Sequence, residues 1–247
     1  EVRVFSNCEE VALYLDDQLL DRRGPTRDRM SDRLPHPPFH FRTGGFRAGT
    51  LRAIGYLHGE PVARHEVRTP GRIDRLAMAL DLAGRAIDRQ QGDQLFCRAF
   101  LQDARGTTVP DAWENVAFGA SGGARLIGAN PFGSDAGIAS ILVQAEPETG
   151  PFSVHAIALA PADGGVLILD GGIASDGPPP AAEVRYTTDG TIPGVTAQRY
   201  HGGVIPAGGL RAALLLGERV IATIAEGAPK FRISASAPPE RREAFHR

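Results

Sequence analysis

The density of turn signals constrains this chain more than any other feature of its sequence. Glycine (30) and proline (19) together account for 49 of 247 residues, and they recur between short apolar runs. Average usage of the two residues is about 12%, and closely spaced turns are typical of β-sandwiches and barrels. A chain near this length could also form a (β/α)8 barrel, but the sequence lacks the eight helical segments which that fold requires. The chain is therefore predicted to be all-β.

The overall charge and composition exclude several classes of partner. Hydrophobic residues make up 42% of the chain, and 27 basic and 29 acidic residues leave a net charge of −2. This balance lacks the basic footprint of a nucleic-acid-binding protein. No apolar run approaches the roughly 18–20 residues that cross a bilayer. We therefore expect neither nucleic acid nor membrane as a partner.

Cysteine and histidine spacing gives no metal or cofactor site. Cys8 and Cys97 are far apart and fit neither a redox nor a metal motif. His36 and His40 have helical spacing, but the prolines around them forbid a helix. We expect no cofactor and no protein-built metal centre.

The first residues look like the middle of a longer polypeptide. Residues 1–5 read as a strand, with no initiator methionine and no basic segment followed by an apolar stretch, so no signal peptide is predicted. We expect the chain to be a piece of a longer protein, and the sequence then says nothing about its compartment.

Period-two patterns divide the chain into three predicted β-sandwich units: residues 1–69, 70–160 and 161–247. In the first unit Val11, Leu13 and Leu15 alternate with other residues, and Asp16-Asp17-Gln18 supplies a turn before a return strand. A further hairpin is predicted around His58-Gly59. The last unit ends in another hairpin, and its tail from Pro238 is predicted to be loose.

One segment of the second unit fits two interpretations. Ile73, Leu76, Leu80, Ala83 and Ile87 form a helical stripe with charged residues on the other side. Helix and strand remain open here on periodicity alone.

Acidic and nucleophilic residues give no convincing catalytic pattern. Glycoside hydrolysis needs two facing carboxylates, and the candidates are Glu9, Glu10, Asp16, Asp17, Asp103, Glu114 and Asp189. Most of them stand at predicted turns, where short acidic side chains are common. Ser121 lies in Gly-Ala-Ser-Gly-Gly, which only partly fits a nucleophile elbow because no strand-to-helix context surrounds it. No catalytic residue is assigned.

Aromatic residues are the candidates for contact with a carbohydrate or a protein. Trp113 lies on a predicted loop, and Tyr14, Tyr56, Tyr186 and Tyr200 are the tyrosines. Tyr56 and Tyr186 are expected to pack inward. Trp113 and Tyr200 are the candidate carbohydrate or interface contacts.

The first unit resembles the module that follows the catalytic barrel in glycoside hydrolase family two, the β-galactosidase family. The resemblance is carried by the runs at residues 2–7, 10–20, 46–56 and 62–69. The second unit resembles the immunoglobulin-like module that comes next in that family, through residues 93–96, 101–106, 109–112, 116–118 and 123–128. This resemblance makes residues 73–89 strand and turn. The third unit resembles the small β-module at the end of bacterial chitobiases, through residues 186–193 and 200–203.

The resemblance implies three tandem immunoglobulin-like modules and a parent enzyme that cleaves β-linked galactosides with two glutamates on a barrel. No stretch of this chain matches that barrel. The expected role is therefore a non-catalytic C-terminal accessory region that packs on the barrel, shapes its cleft or mediates oligomerisation. The expected partners are the barrel of the parent chain, carbohydrate and a second copy of the chain. A free-standing carbohydrate-binding or adhesion array is the alternative, and a row of exposed aromatics on one sheet would favour it.

Overall fold

The computed structural model describes residues 1–88, 90–147 and 149–229, which contain nineteen strands and no helix. The all-β prediction is therefore confirmed for the described residues. Contacts divide the chain into two compact units, one ending at Pro70 and the other beginning at Gly71. The tail predicted to be loose from Pro238 lies outside the described residues.

Unit 1 contains six strands. They are β1 (Val2–Val4), β2 (Glu10–Leu15), β3 (Gln18–Arg23), β4 (Phe39–Phe41), β5 (Thr50–Leu57) and β6 (Glu60–Arg68). Strands β3, β2, β5 and β6 form an antiparallel sheet in that order, and β1 pairs with β4 in a second, two-stranded sheet.

The core of unit 1 lies between these two sheets. Val11 and Leu13 of β2 are 1% exposed and pack against Phe39 and Phe41 of β4. The intervening residue of each strand points the other way because side chains alternate across a strand. Val11 and Leu13 of the period-two pattern therefore lie in this core, whereas Leu15 is half-buried and is not part of it.

Both predicted turns of unit 1 are present as hairpins. Asp16, at φ 53°, begins the turn between β2 and β3, and a short acidic side chain tolerates this left-handed conformation. His58 and Gly59, at φ 52° and 83°, connect β5 to β6. Two successive positive φ values match the twist of the strands that a two-residue hairpin joins.

Unit 2 contains thirteen described strands in three antiparallel sheets. The first sheet has the order β10 (Ala124–Ile127), β12 (Ile138–Ala145), β8 (Gln94–Gln102) and β7 (Arg75–Leu80). The middle sheet has the order β11 (Phe132–Gly133), β9 (Asn115–Gly122), β13 (Phe152–Ala162), β14 (Gly165–Ala174) and β17 (Val204–Ile205). The third sheet has the order β16 (Gln198–Arg199), β15 (Glu183–Thr187), β18 (Arg211–Leu216) and β19 (Arg219–Ala225).

The middle sheet of unit 2 is covered on both faces. Val154 and Ala156 of β13 belong to a core shared with the first sheet, whereas Ile157 and Leu159 belong to a core shared with the third sheet. Nine consecutive residues of β13, Phe152–Ala160, are consequently buried. Two hydrophobic cores thus hold three layers of strands together.

The segment with two interpretations in the sequence forms a strand. Residues 75–80 are β7, which pairs with β8, and Leu76, Met78 and Leu80 all contact the first core. Their spacing of two is the strand period. The helical stripe in residues 73–87 is therefore coincidental, and the strand expectation from the family resemblance is confirmed.

The predicted boundary between the second and third modules falls within β13. Residues 160 and 161 lie on this strand, and β14 pairs with it along its length. The described residues from 71 onward also form one compact unit. The division into modules at 1–69, 70–160 and 161–247, and the number of immunoglobulin-like modules, remain predictions.

Candidate interaction surfaces

Several of the candidate carboxylates of the sequence accept hydrogen bonds from backbone N–H groups, whereas Glu10 and Asp17 form ion pairs with Arg22 and Arg52. Asp103 is 3% exposed and accepts hydrogen bonds from the backbone N–H groups of Gly71, Arg105 and Thr107 at 2.9–3.0 Å. Asp16 accepts the N–H of Thr50 at 2.9 Å. These carboxylates stabilise loops, as their turn positions predict.

Two exposed acidic residues serve similar local roles. Glu9 accepts the N–H of His58 at 2.7 Å. Asp189 accepts both the N–H and the hydroxyl of Thr191, and these hydrogen bonds lower the pKa of Asp189. A carboxyl group with a lowered pKa, such as that of Asp189, is poorly suited to act as a general acid.

Ser121 lies inside a buried polar chain instead of on a nucleophile elbow. On β9 its hydroxyl is 2.7 Å from that of Ser153, which is in turn 3.1 Å from Nε2 of His155. His155 is 3% exposed, and burial lowers its pKa. All three side chains lie on strands of the middle sheet, and no strand-to-helix turn of the kind that a nucleophile elbow requires surrounds Ser121 among the described residues. Sequence reasoning did not single out His155, since an isolated histidine carries no spacing signal.

Trp113 lies on the loop that precedes β9, as predicted, and its side chain is half-buried. The next two residues, Glu114 and Asn115, line a cavity of about 310 Å³ in unit 2. The Nδ2 of Asn115 donates to the carbonyl oxygens of Ala228 and Pro229, both at 3.1 Å. This amide therefore fastens the chain beyond β19 to the start of β9.

Tyr200 follows β16 and packs on the second core of unit 2. Its ring meets Tyr186 edge-to-face with the centroids 6.2 Å apart, and its hydroxyl donates to the carbonyl of Gly203 at 2.7 Å. Burial raises the pKa of Tyr200. The ring is thus already engaged, and it is not displayed as a flat platform.

The two tyrosines of unit 1 are engaged by arginines. The guanidinium of Arg22 lies 4.0 Å from the ring centroid of Tyr56, and that of Arg52 lies 5.1 Å from the ring centroid of Tyr14. A hydrogen bond with Tyr14 raises the pKa of Tyr56. All four tyrosines and the tryptophan are half-buried, so they form no row of fully exposed rings.

The most exposed large apolar side chains of the described residues lie in unit 1. Met30 is 87% exposed, Phe46 is 85% exposed and Phe5 is 78% exposed. All three are on loops that flank β1 or β4. Isolated exposed apolar residues are ordinary, but these three are the most exposed large apolar side chains of the described residues.

The described residues were also compared with the requirements of a metal site, a membrane-spanning helix and a reactive thiol. No group of three metal-ligating side chains occurs among them, and none of their elements is a helix that could cross a bilayer. Cys8 and Cys97 are buried free thiols, and burial raises the pKa of Cys97 to about 12. A thiol with this pKa is unreactive near neutral pH.

Parts of this chain are similar to known proteins. Residues 1–63 match the family described as domain of unknown function DUF4982, which is found in family-two glycoside hydrolases. The chain is 33% identical over 162 residues to a beta-galactosidase of Thermoanaerobacter pseudethanolicus. That alignment covers 62% of this chain and 21% of the relative, so the chain spans about a fifth of the relative's length.

Solved structures show the same fold. A glycosyl hydrolase family 2 member from Bacteroides cellulosilyticus DSM 14838 superposes with a TM-score of 0.56 at 23% identity, over 70% of this chain and 23% of that protein. A beta-glycosidase from Bacteroides vulgatus gives a TM-score of 0.52 at 18% identity, over 68% of this chain and 21% of that protein. The similarity of the third predicted module, residues 161–247, to the chitobiase module stays a prediction. The chain is therefore similar over these stretches to a segment of a beta-galactosidase, and it shares its fold with segments of family-two glycoside hydrolases.

Proposed function

We propose that this chain is a non-catalytic C-terminal accessory region of a β-galactosidase-like glycoside hydrolase, and that it packs on the catalytic barrel or shapes the rim of its cleft. The observation that carries the proposal is the high exposure of three large apolar side chains in unit 1. Met30, Phe46 and Phe5 lie within the residues that match a domain found in family-two enzymes. Burial of apolar area of this kind drives docking between domains.

The engagement of the acidic side chains supports a non-catalytic role. A family-two enzyme hydrolyses its substrate with two carboxylates that face one another across the bond. Asp16, Asp103 and Asp189 instead accept hydrogen bonds from neighbouring backbone groups. The hydrolytic residues would then reside in the part of the polypeptide that relatives possess beyond this segment.

The arrangement of aromatic rings favours docking over sugar binding. A carbohydrate platform presents ring faces for stacking on the apolar face of a sugar. Here the rings of Tyr14 and Tyr56 are stacked by arginines, and Tyr200 packs against Tyr186. A free-standing carbohydrate-binding or adhesion array is therefore the weaker candidate.

Reconstitution in two pieces tests the proposal. A parent enzyme truncated before this chain would be mixed with the separate 247-residue chain, and complex formation would be followed by sedimentation velocity. We expect a one-to-one complex and a higher melting temperature of the truncated enzyme. Docking would be contradicted if no complex formed at concentrations up to about 100 μM. Such a result would mean a binding free energy weaker than about 5 kcal/mol. Self-association of the chain alone would indicate that the exposed surface serves a homo-oligomer.

A further inference from the structure

The two loops on either side of β4 in unit 1 are both basic and apolar. Residues 24–38 precede β4 and residues 42–49 follow it; we call them together the β4 loops. Between Arg27 and Arg47 the sequence has five arginines and two aspartates. All five arginines are exposed, so the β4 loops are basic although the whole chain is slightly negative.

The first of the β4 loops is ordered by its own polar groups. Its ends are joined by a hydrogen bond from the N–H of Thr26 to the carbonyl of Pro38, at 2.9 Å. Asp28 accepts the N–H groups of Met30 and Ser31 and the hydroxyl of Ser31, and the hydroxyl bond lowers the pKa of Asp28. Ser31 is 4% exposed. A loop held in this way loses little conformational entropy when it binds a partner.

The ordered turn points its apolar and basic side chains outward. Met30 is 87% exposed and Leu34 is 47% exposed, and Arg29 and Arg33 are exposed beside them. The second loop repeats the combination, because Phe46, at 85% exposure, directly precedes the exposed Arg47. Each loop thus offers an apolar anchor next to a guanidinium group.

These arginines have no carboxylate partner within the described part of the chain. Other arginines of unit 1 do have such partners: ion pairs to acidic residues are formed by Arg22, Arg23, Arg52 and Arg64. All four lie outside the β4 loops. Aromatic residues, methionine and arginine are enriched at the centres of protein interfaces. Arginine also pairs in bidentate fashion with carboxylates. The missing partner should therefore supply carboxylates beside apolar pockets.

We infer that the β4 loops dock onto an acidic protein surface with apolar pockets, through Arg29, Met30, Arg33, Leu34, Phe46 and Arg47. The inference rests on the proposed function, in which that surface belongs to the remainder of the glycoside hydrolase polypeptide. An acidic polysaccharide offers carboxylates as well, but it has no pocket for the aliphatic side chains of Met30 and Leu34. Sugars are held by aromatic faces, and among these six residues only Phe46 has an aromatic ring.

Hydrogen–deuterium exchange can test the inference on individual amides. The N–H groups of Thr26, Ser31, Asp32 and Leu34 are hydrogen-bonded within the first loop, so their exchange reports its opening. Exchange would be compared between the excised chain and the full-length enzyme that contains it. We expect these amides to exchange at least about tenfold more slowly in the full-length enzyme, since docking suppresses local opening.

Reversing the charge of the arginines in the β4 loops tests whether those side chains cause the protection. The substitutions Arg29→Glu, Arg33→Glu and Arg47→Glu, combined in the full-length enzyme, should return the exchange of the first loop to that of the excised chain. The matched control reverses three exposed arginines of unit 2, Arg85, Arg105 and Arg219, with the same total change in charge. It should leave the protection unchanged. Equal melting temperatures of the two variants as excised chains would show that neither substitution set unfolds the protein.

Two outcomes would overturn the inference, and they differ from a failure of the proposed function. If other segments of unit 1 are protected in the full-length enzyme but the β4 loops are not, docking uses another surface and the proposed function stands. If polygalacturonate protects the loops of the excised chain and the full-length enzyme does not, the partner is an acidic glycan. If no segment of the chain gains protection in the full-length enzyme, the proposed function itself fails.

Discussion

Gly119 of β9 lies directly against Ile221 of β19, so that a Cβ atom at residue 119 would come within 2.5 Å of the carbonyl oxygen of Ile221. The contact joins the middle and third sheets of unit 2, whose backbones approach closely at this point. Only glycine fits between them, because the obstructing atom belongs to backbone and cannot rotate away. Glycine at residue 119 thus allows the backbones of β9 and β19 to pack in direct contact.

Replacing Gly119 with alanine should destabilise unit 2 by about 1–3 kcal/mol, as overpacking of a rigid contact does. Gly194 provides the matched control, because a Cβ atom there would meet nothing within 4 Å and its φ lies outside the left-handed region. Gly194→Ala should be neutral or slightly stabilising. Urea unfolding of both variants measures the difference, and equal stabilities would contradict the close approach of the two sheets.

His155 should make unit 2 sensitive to acid. Burial lowers its pKa in the folded state, so the unfolded chain binds the proton more readily. Stability that is present above the unfolded pKa of about 6.5 is therefore lost as the pH falls below it. His155→Gln removes the titration while it retains a hydrogen-bonding group next to Ser153.

The measurement compares the unfolding free energy at about pH 7 and about pH 5 in the wild type, in His155→Gln and in His201→Gln, an exposed histidine of the same unit. Asp170 lies on the same face of the middle sheet, and desolvation raises its pKa. A raised carboxyl pKa acts in the opposite direction, so Asp170→Asn would be measured in parallel. The wild type and His201→Gln should lose more stability than His155→Gln, and equal losses would refute the role of His155.

The isolated chain should not hydrolyse aryl β-galactosides above background. Among its described acidic residues, those at turns accept local hydrogen bonds, so they are poorly suited to act as a general acid facing a nucleophile. Release of nitrophenol from a nitrophenyl galactoside, measured after stringent purification, tests this. Turnover that persists through purification and disappears on substitution of one of the chain's own carboxylates would be incompatible with the proposed role.

Carbohydrate binding by the chain should be weak or absent. Calorimetry with galactan, xylan and galacto-oligosaccharides should show no saturable heat, since the rings of the four tyrosines are engaged by other side chains. Trp113→Ala and Tyr200→Phe test the two candidate contacts of the sequence separately. Tight binding that is lost in Trp113→Ala would reverse the preference between docking and carbohydrate recognition.

The hairpin turns could be predicted from the sequence more easily than the stacking of the sheets in unit 2. Asp16-Asp17 and His58-Gly59 were identifiable because their residue types favour the turn conformations that they adopt. The buried run Phe152–Ala160 gave no comparable signal, since a strand covered on both faces loses its period-two alternation. Two separate sandwich modules were expected over residues 70–160 and 161–247, a division that stays a prediction; the described strands of unit 2 form three layers.

The candidate surface was less accessible to sequence reasoning than the fold. Met30, Leu34 and Phe46 are residue types normally assigned to a core, and only their neighbours in space show that they point outward. The spacing of arginines in the β4 loops was visible, but the ion pairs that engage Arg22 and Arg52 elsewhere were not. Tertiary structure was needed to separate engaged guanidinium groups from unengaged ones.

The double coverage of β13 has a consequence for the unfolded chain. Its buried run from Phe152 to Ala160 contains no acidic or basic residue apart from His155. Uncharged segments of high β-propensity pair with one another between molecules when they are released, and proline at the margin opposes this pairing. Pro151 and Pro161 stand at the two ends of the run. This strand, one of those that contribute to both cores, is thus also a segment that can pair between molecules once it is released, and its flanking prolines oppose that pairing.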